Sequence, residues 1–157
     1  MKINLLLDNP TGTINGHKNI DPFANGSDER ILGDIFNLDW IADNSECDEI
    51  VAKNVLEYYP TDQNANILTA WMKKIKRGGR FIFEQLDLDA VCEAYYRGDI
   101  NFVTMRELLF GKQDKSWNTK KSILNMHSII SFLEGSGFSI KQKRFENLSF
   151  CIVATRN

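Results

Sequence analysis

Cysteine, histidine and proline are all scarce in this chain. Its three cysteines, Cys47, Cys92 and Cys151, are spread over 157 residues without a CxxC pair. That spacing speaks against both a disulfide framework and a zinc site. The two histidines, His17 and His127, leave few side chains that titrate near neutrality. No apolar run approaches the ~20 residues that cross a bilayer, and no charged-then-apolar signal segment opens the chain. The expectation is a cytoplasmic protein without a membrane partner. Charge of one sign is missing too: 19 Lys and Arg face 21 Asp and Glu, a net charge of −2. Such a balance offers no field for nucleic acid. The basic cluster Lys73, Lys74, Lys76, Arg77 and Arg80 reads as the solvated end of a helix, where cations meet the helix dipole. No repeat or Pro/Gly-rich linker divides the chain, so residues 1–157 are expected to form a single domain.

What is present is ordinary globular composition, with 43% apolar and 25% charged residues. Short apolar runs alternate with polar turns. Lys2–Leu7, Lys18–Asp21, Arg30–Ile35, Glu49–Lys53 and Arg80–Glu84 read as strands, each ending near a polar residue. Helical spacing of Ile67, Leu68, Trp71, Met72 and Ile75 predicts a helix over Asp62–Lys76, capped by Thr61 and stopped at Gly78-Gly79. Further helices are expected over Leu88–Arg97, from the capping box at Thr104 to Gly111, and from Asn125 to Gly135 or Gly137. Two strands, Phe138–Phe145 and Leu148–Thr155, are separated by Glu146-Asn147 and should close a hairpin. The pattern is α/β with a mixed sheet.

Three segments carry a resemblance: "DNSECDEIVAKNVLEYYP" (43–60), "ILTAWMKKIKRGGRFIFE" (67–84) and "LEGSGFSI" (133–140). In order and spacing the chain resembles the class I S-adenosylmethionine-dependent methyltransferases. The resemblance implies a Rossmann-like methyltransferase fold, a mostly parallel sheet with a C-terminal antiparallel hairpin. It also implies S-adenosylmethionine as cofactor and methyl transfer to a small-molecule acceptor. Carried over by position, Asp21 would accept the ribose hydroxyls, and Asp34 and Ile35 would hold the adenine. Asp8 and Asn54 would complete the cofactor contacts, with Glu57 and Tyr58 at the acceptor.

The first third departs from that pattern. The glycine-rich cofactor turn falls on Leu6-Leu7-Asp8, where a branched side chain occupies space the family leaves empty. About ten residues, Asp8–His17, join the first two strands, too few for the usual helix. These reduced N-terminal helices predict a sheet face with an exposed apolar patch, and hence a homodimer that buries it. Two functional readings follow: methyl transfer to an unidentified acceptor, or an inactive binding or assembly module whose crevice is filled by Leu6 and Leu7.

The remaining candidates have simpler readings. Asp87 and Asp89 suit a helix N-cap better than a metal site, so no metal is expected. His17 and His127 read as surface residues. Gly12–Gly16 lacks the Lys-Ser or Lys-Thr of a phosphate loop. Tyr58, Tyr59, Tyr95, Tyr96 and Trp117 are candidate walls of an acceptor pocket.

Overall fold

The computed structural model describes residues 1–157. The strands are β1 (Lys2–Leu5), β2 (Lys18–Asp21), β3 (Arg30–Leu32), β4 (Cys47–Lys53), β5 (Ile75–Leu86), β6 (Phe138–Glu146) and β7 (Ser149–Arg156). The helices are α1 (Thr61–Lys74), α2 (Leu88–Arg97), α3 (Phe102–Phe110) and α4 (Met126–Gly135). The seven strands form one sheet in the order β3-β2-β1-β4-β5-β7-β6. Pairing is parallel from β3 to β5 and antiparallel for β5–β7 and β7–β6. The expected α/β fold with a terminal hairpin is therefore what forms. No helix is long and apolar enough to cross a membrane.

Alternation along the strands sets two different faces. Ile3, Leu5, Ile20, Ile50, Ala52, Phe81 and Phe83 meet Ile67, Leu68 and Trp71 of α1 and Ile129 and Leu133 of α4 in one buried cluster. The Trp71 indole N–H donates to the Ile35 carbonyl at 2.7 Å, which fastens the segment after β3 over this face. No α-helix joins β1 to β2, β2 to β3 or β3 to β4, so the other face lacks helical cover.

That uncovered face corrects one expectation. In place of an apolar patch at β1 and β2 it carries Asn4 and Asn19, both buried. The Asn4 side-chain amide donates to Asn19 Oδ1 and to the Gly12 carbonyl, each at 2.9 Å, so the short connection after β1 is pinned down by amides. Farther across, His17 Nε2 lies 2.8 Å from Glu49 Oε1, Arg80 pairs with the other oxygen of Glu49, and Lys53 pairs with Glu84. Cross-strand polar pairs of this kind stabilise a sheet surface that no helix covers. Exposed apolar residues gather instead at the β3 edge, with Ile31, Leu32 and Trp40, and on the α2–α3 hairpin.

Several boundaries also differ from the sequence reading. β1 stops at Leu5 and β3 at Leu32, because the following residues turn to form the crevice described below. α1 gives way to strand at Ile75, and Gly78-Gly79 forms a bulge within β5 rather than a helix stop. Gly78 takes a positive φ of 75°, and a Cβ on Gly79 would lie 2.9 Å from the Lys76 carbonyl oxygen. Asn101 rather than Thr104 caps α3, its side chain accepting the Thr104 N–H at 2.8 Å. Asp87 caps α2.

Candidate functional site

In an open α/β sheet a crevice forms outside the carboxyl ends of the strands where the strand order reverses. Here that point lies between β1 and β4. The chain leaves β1 through Leu6, whose N–H still donates to the Ile20 carbonyl at 2.9 Å. Leu6 is buried and turns toward Gly12, where an added Cβ would come within 2.9 Å of it. Leu7 points the other way and lines a cavity of about 340 Å³ with Pro22, Phe23, Tyr58, Tyr59 and Trp117. Asp8 then takes a φ of 49°, a left-handed conformation that Asp tolerates better than a branched residue. The turn therefore keeps a left-handed position without keeping a glycine.

Asp21 is the centre of this turn. It is fully buried, and its carboxylate receives four donors. Oδ1 accepts the N–H groups of Asp8 at 3.0 Å and Phe23 at 2.9 Å; Oδ2 accepts those of Asn9 at 3.0 Å and an Arg30 guanidinium N–H at 2.8 Å. Arg30 is itself buried and bidentate to Asp28, which its bonds hold below the usual carboxylate range. A ribose hydroxyl would have to displace one of these donors from a buried site. Burying a carboxylate is tolerated because all its acceptor directions are filled. Asp21 thus clasps the β1 turn to β2 and β3.

The other sequence candidates scatter. Asp34 is exposed and caps its own loop, accepting the Phe36 N–H at 2.7 Å. Ile35 is 1% exposed and belongs to the hydrophobic core, so its side chain does not face the crevice. Asn54 is exposed, with a φ of 54° at the exit of β4. Tyr58 lines the crevice, whereas Glu57 lines neither of the cavities at the strand ends. Glu57 is buried, which pushes its carboxyl above the usual range, against the opposing effect of the Lys120 ammonium at 2.9 Å. Burial, with the Glu57 charge as a lesser cause, pushes the Tyr58 hydroxyl up to about 12. Burial thus moves the Tyr58 hydroxyl away from neutrality and the Glu57 carboxyl toward it.

A second cavity, of about 410 Å³, lies beside the first, with Tyr58 and Trp117 forming the wall between them. It is bounded by α3 and by the connection from Gly111 to Ser122. Trp117 stacks on Phe23 with centroids 5.1 Å apart and an interplanar angle of 27°, and meets Tyr58 edge-on at 5.4 Å. Lys115 pairs with Asp8, its ammonium 5.8 Å from the Trp117 ring centre. Arg30, Phe23, Lys115 and Lys120 carry much of this arrangement, and the sequence reading did not single them out for it. Among the expected aromatic walls, Tyr58, Tyr59 and Trp117 line these cavities, whereas Tyr95 and Tyr96 are exposed on α2.

No protein-family model matches the chain, and no curated protein matches it by sequence. Solved structures do match by fold. A S-adenosylmethionine-dependent methyltransferase from Methanosarcina mazei has a TM-score of 0.61 at 14% identity, over 99% of this chain and 92% of its own. The 1,6-didemethyltoxoflavin-N1-methyltransferase of Burkholderia thailandensis, solved with bound 1,6-didemethyltoxoflavin and S-adenosylhomocysteine, has a TM-score of 0.60 at 9% identity, over 98% of this chain and 70% of its own. An O-methyltransferase family protein of the same organism has a TM-score of 0.55 at 12% identity. There 81% of this chain is covered, but the chain spans only 35% of that longer protein. The class the architecture defines is thus the Rossmann-like fold of S-adenosylmethionine-dependent methyltransferases.

The residues at the crevice do not suit that cofactor in the manner the resemblance implies. The expected ribose acceptor Asp21 already holds four internal donors, and the bulky Leu7 and Trp117 line the cavity at the strand ends.

Proposed function

We propose that this chain is a non-catalytic binding or assembly module built on the methyltransferase fold, and that it does not hold S-adenosylmethionine. The saturated carboxylate of Asp21 carries this reading, because a buried acceptor with four internal donors has nothing left for a ribose. Leu7 and Trp117 support it as bulky side chains lining the cavity at the strand ends. A fold does not by itself imply the activity of its relatives. The test is isothermal titration of S-adenosylmethionine and S-adenosylhomocysteine into the protein. No heat up to millimolar ligand is expected; micromolar binding would overturn the reading.

One observation favours the second reading, methyl transfer to a small-molecule acceptor. The two cavities of about 410 and 340 Å³ sit at the strand ends on either side of Tyr58, next to Glu57. On that reading Asp8, Asp21 and Asn54 would serve the cofactor, and Glu57 and Tyr58 the acceptor. The same titration separates the two. For either reading we assign the expected second copy to the β3 edge, where Ile31 and Leu32 are exposed on a strand with one free side and Trp40 lies exposed nearby.

A further inference from the structure

We infer that residues 111–122 form a closing strap, in which the chain's own Trp117 divides the strand-end crevice and can leave it without unfolding the sheet. This goes beyond the functional reading, since it concerns how the crevice is closed rather than what it binds.

The strap is built unlike the rest of the domain. Most of its residues are exposed, whereas Trp117 is half-buried and Asn118 buried. It is tied to α3, where the Lys120 N–H donates to the Phe110 carbonyl at 3.0 Å and the Lys120 ammonium to the Leu108 carbonyl at 2.7 Å, and its other contacts with the body lie along its length. At the centre, Trp117 stacks on Phe23 and meets the edge of Tyr58. Beside it, Lys115 reaches Asp8 as a partly exposed ion pair, with 53% of the lysine side chain accessible. At the far end, the N–H groups of Lys121 and Ser122 donate to the Glu57 carbonyl at 2.7 and 3.1 Å, and Lys120 pairs with the Glu57 carboxylate. The far end is therefore fixed to the body through buried groups, and the latch at Lys115 is not.

The near end turns sharply at Gly111, which is buried. Gly111 has a φ of 82°, and a Cβ there would lie 2.0 Å from the Asn118 carbonyl oxygen. Gln113 follows with a φ of 57°. Two left-handed residues bring the strap back over the crevice, and Asn118 Oδ1 closes its turn by accepting the Lys115 N–H at 3.0 Å. Because Trp117 and Tyr58 are the wall shared by both cavities, withdrawing the indole would join them into one trough. Between its anchored ends, a partly exposed ion pair and the two aromatic contacts of Trp117 hold the strap shut, each a modest interaction.

The test uses 5-fluorotryptophan incorporated into the full chain and fluorine NMR, with the Trp117 signal assigned by Trp117→Phe. In the wild-type protein Trp117 should resonate away from the free-indole position, because it lies against two rings. In Gly111→Ala its signal should move to the free position while Trp40 and Trp71 keep theirs. In Lys115→Ala the open fraction should rise about two- to fivefold, moving the Trp117 signal partway in the same direction. Lys115→Ala adds no atoms and carries the test if Gly111→Ala does not fold. A wild-type Trp117 signal already at the free position would overturn the proposal. So would a Lys115→Ala variant with no shift, or one in which all three signals move together. Cofactor binding by the wild-type chain would defeat the functional reading while leaving these shifts to decide the strap.

Discussion

Replacing Asp21 with asparagine separates a ribose acceptor from a structural clasp. Asparagine keeps the shape but offers one oxygen and one N–H₂ group where the carboxylate offers two oxygens. With its oxygen in the Oδ1 place it satisfies Asp8 and Phe23, and its amide then faces the N–H of Asn9 and the Arg30 guanidinium. Flipped, it satisfies Asn9 and Arg30 and confronts the other two. Either way two buried donors lose their acceptor, each costing about 1–3 kcal/mol. Removing one partner of a buried ion pair costs about 3–5 kcal/mol, but Asp28 still neutralises Arg30. The expected loss is therefore about 3 kcal/mol, read as a lower urea midpoint at unchanged slope. A ligand-facing carboxylate would behave differently, since its removal usually leaves stability unchanged or improved. A loss below about 0.5 kcal/mol would refute the clasp.

Lys120→Met should leave Glu57 buried without its counter-charge, a loss of about 3 kcal/mol at pH 8. Burial raises the folded-state carboxyl of Glu57 above its unfolded value. The cost of ionising it therefore appears as pH rises through the raised value and vanishes below the unfolded one. The variant's deficit should shrink between pH 8 and pH 4 and be relieved by adding Glu57→Gln; a pH-independent deficit in urea titrations would contradict this. At the β3 edge, Leu32→Glu should convert a dimer to monomer by sedimentation velocity and abolish the concentration dependence of the thermal midpoint. A wild-type protein that sediments as a monomer well above micromolar concentration would rule out the assigned dimer.

The helices and most strands were legible because their signals are local. Ile67, Leu68 and Trp71 share a helix face whatever lies elsewhere, and the hairpin of β6 and β7 follows from two residues between two runs. Where α1 ends was not legible, because Lys73 to Lys76 suit a helix terminus as well as the start of a strand. Pairing of Cys47 with Ile75 decides it in favour of strand. Asp21 was found as a residue but not as a clasp. Its partner Arg30 lies nine residues on, and only the parallel register Asn19 to Arg30 brings the two together. The strap was hardest to see. It has no periodicity, and Lys115 meets Asp8 across 107 positions of sequence. A tryptophan between lysines reads as a pocket wall, and nothing local says that it faces Phe23.

On the proposal above, the chain's own residues close this fold to the cofactor of its structural neighbours. The most direct measurement is the crystal structure of the protein grown with millimolar S-adenosylhomocysteine. Trp117 stacked on Phe23, four donors on Asp21 and no nucleoside at the strand ends are expected. A ribose on the Asp21 carboxylate, with the strap swung away, would contradict the proposal.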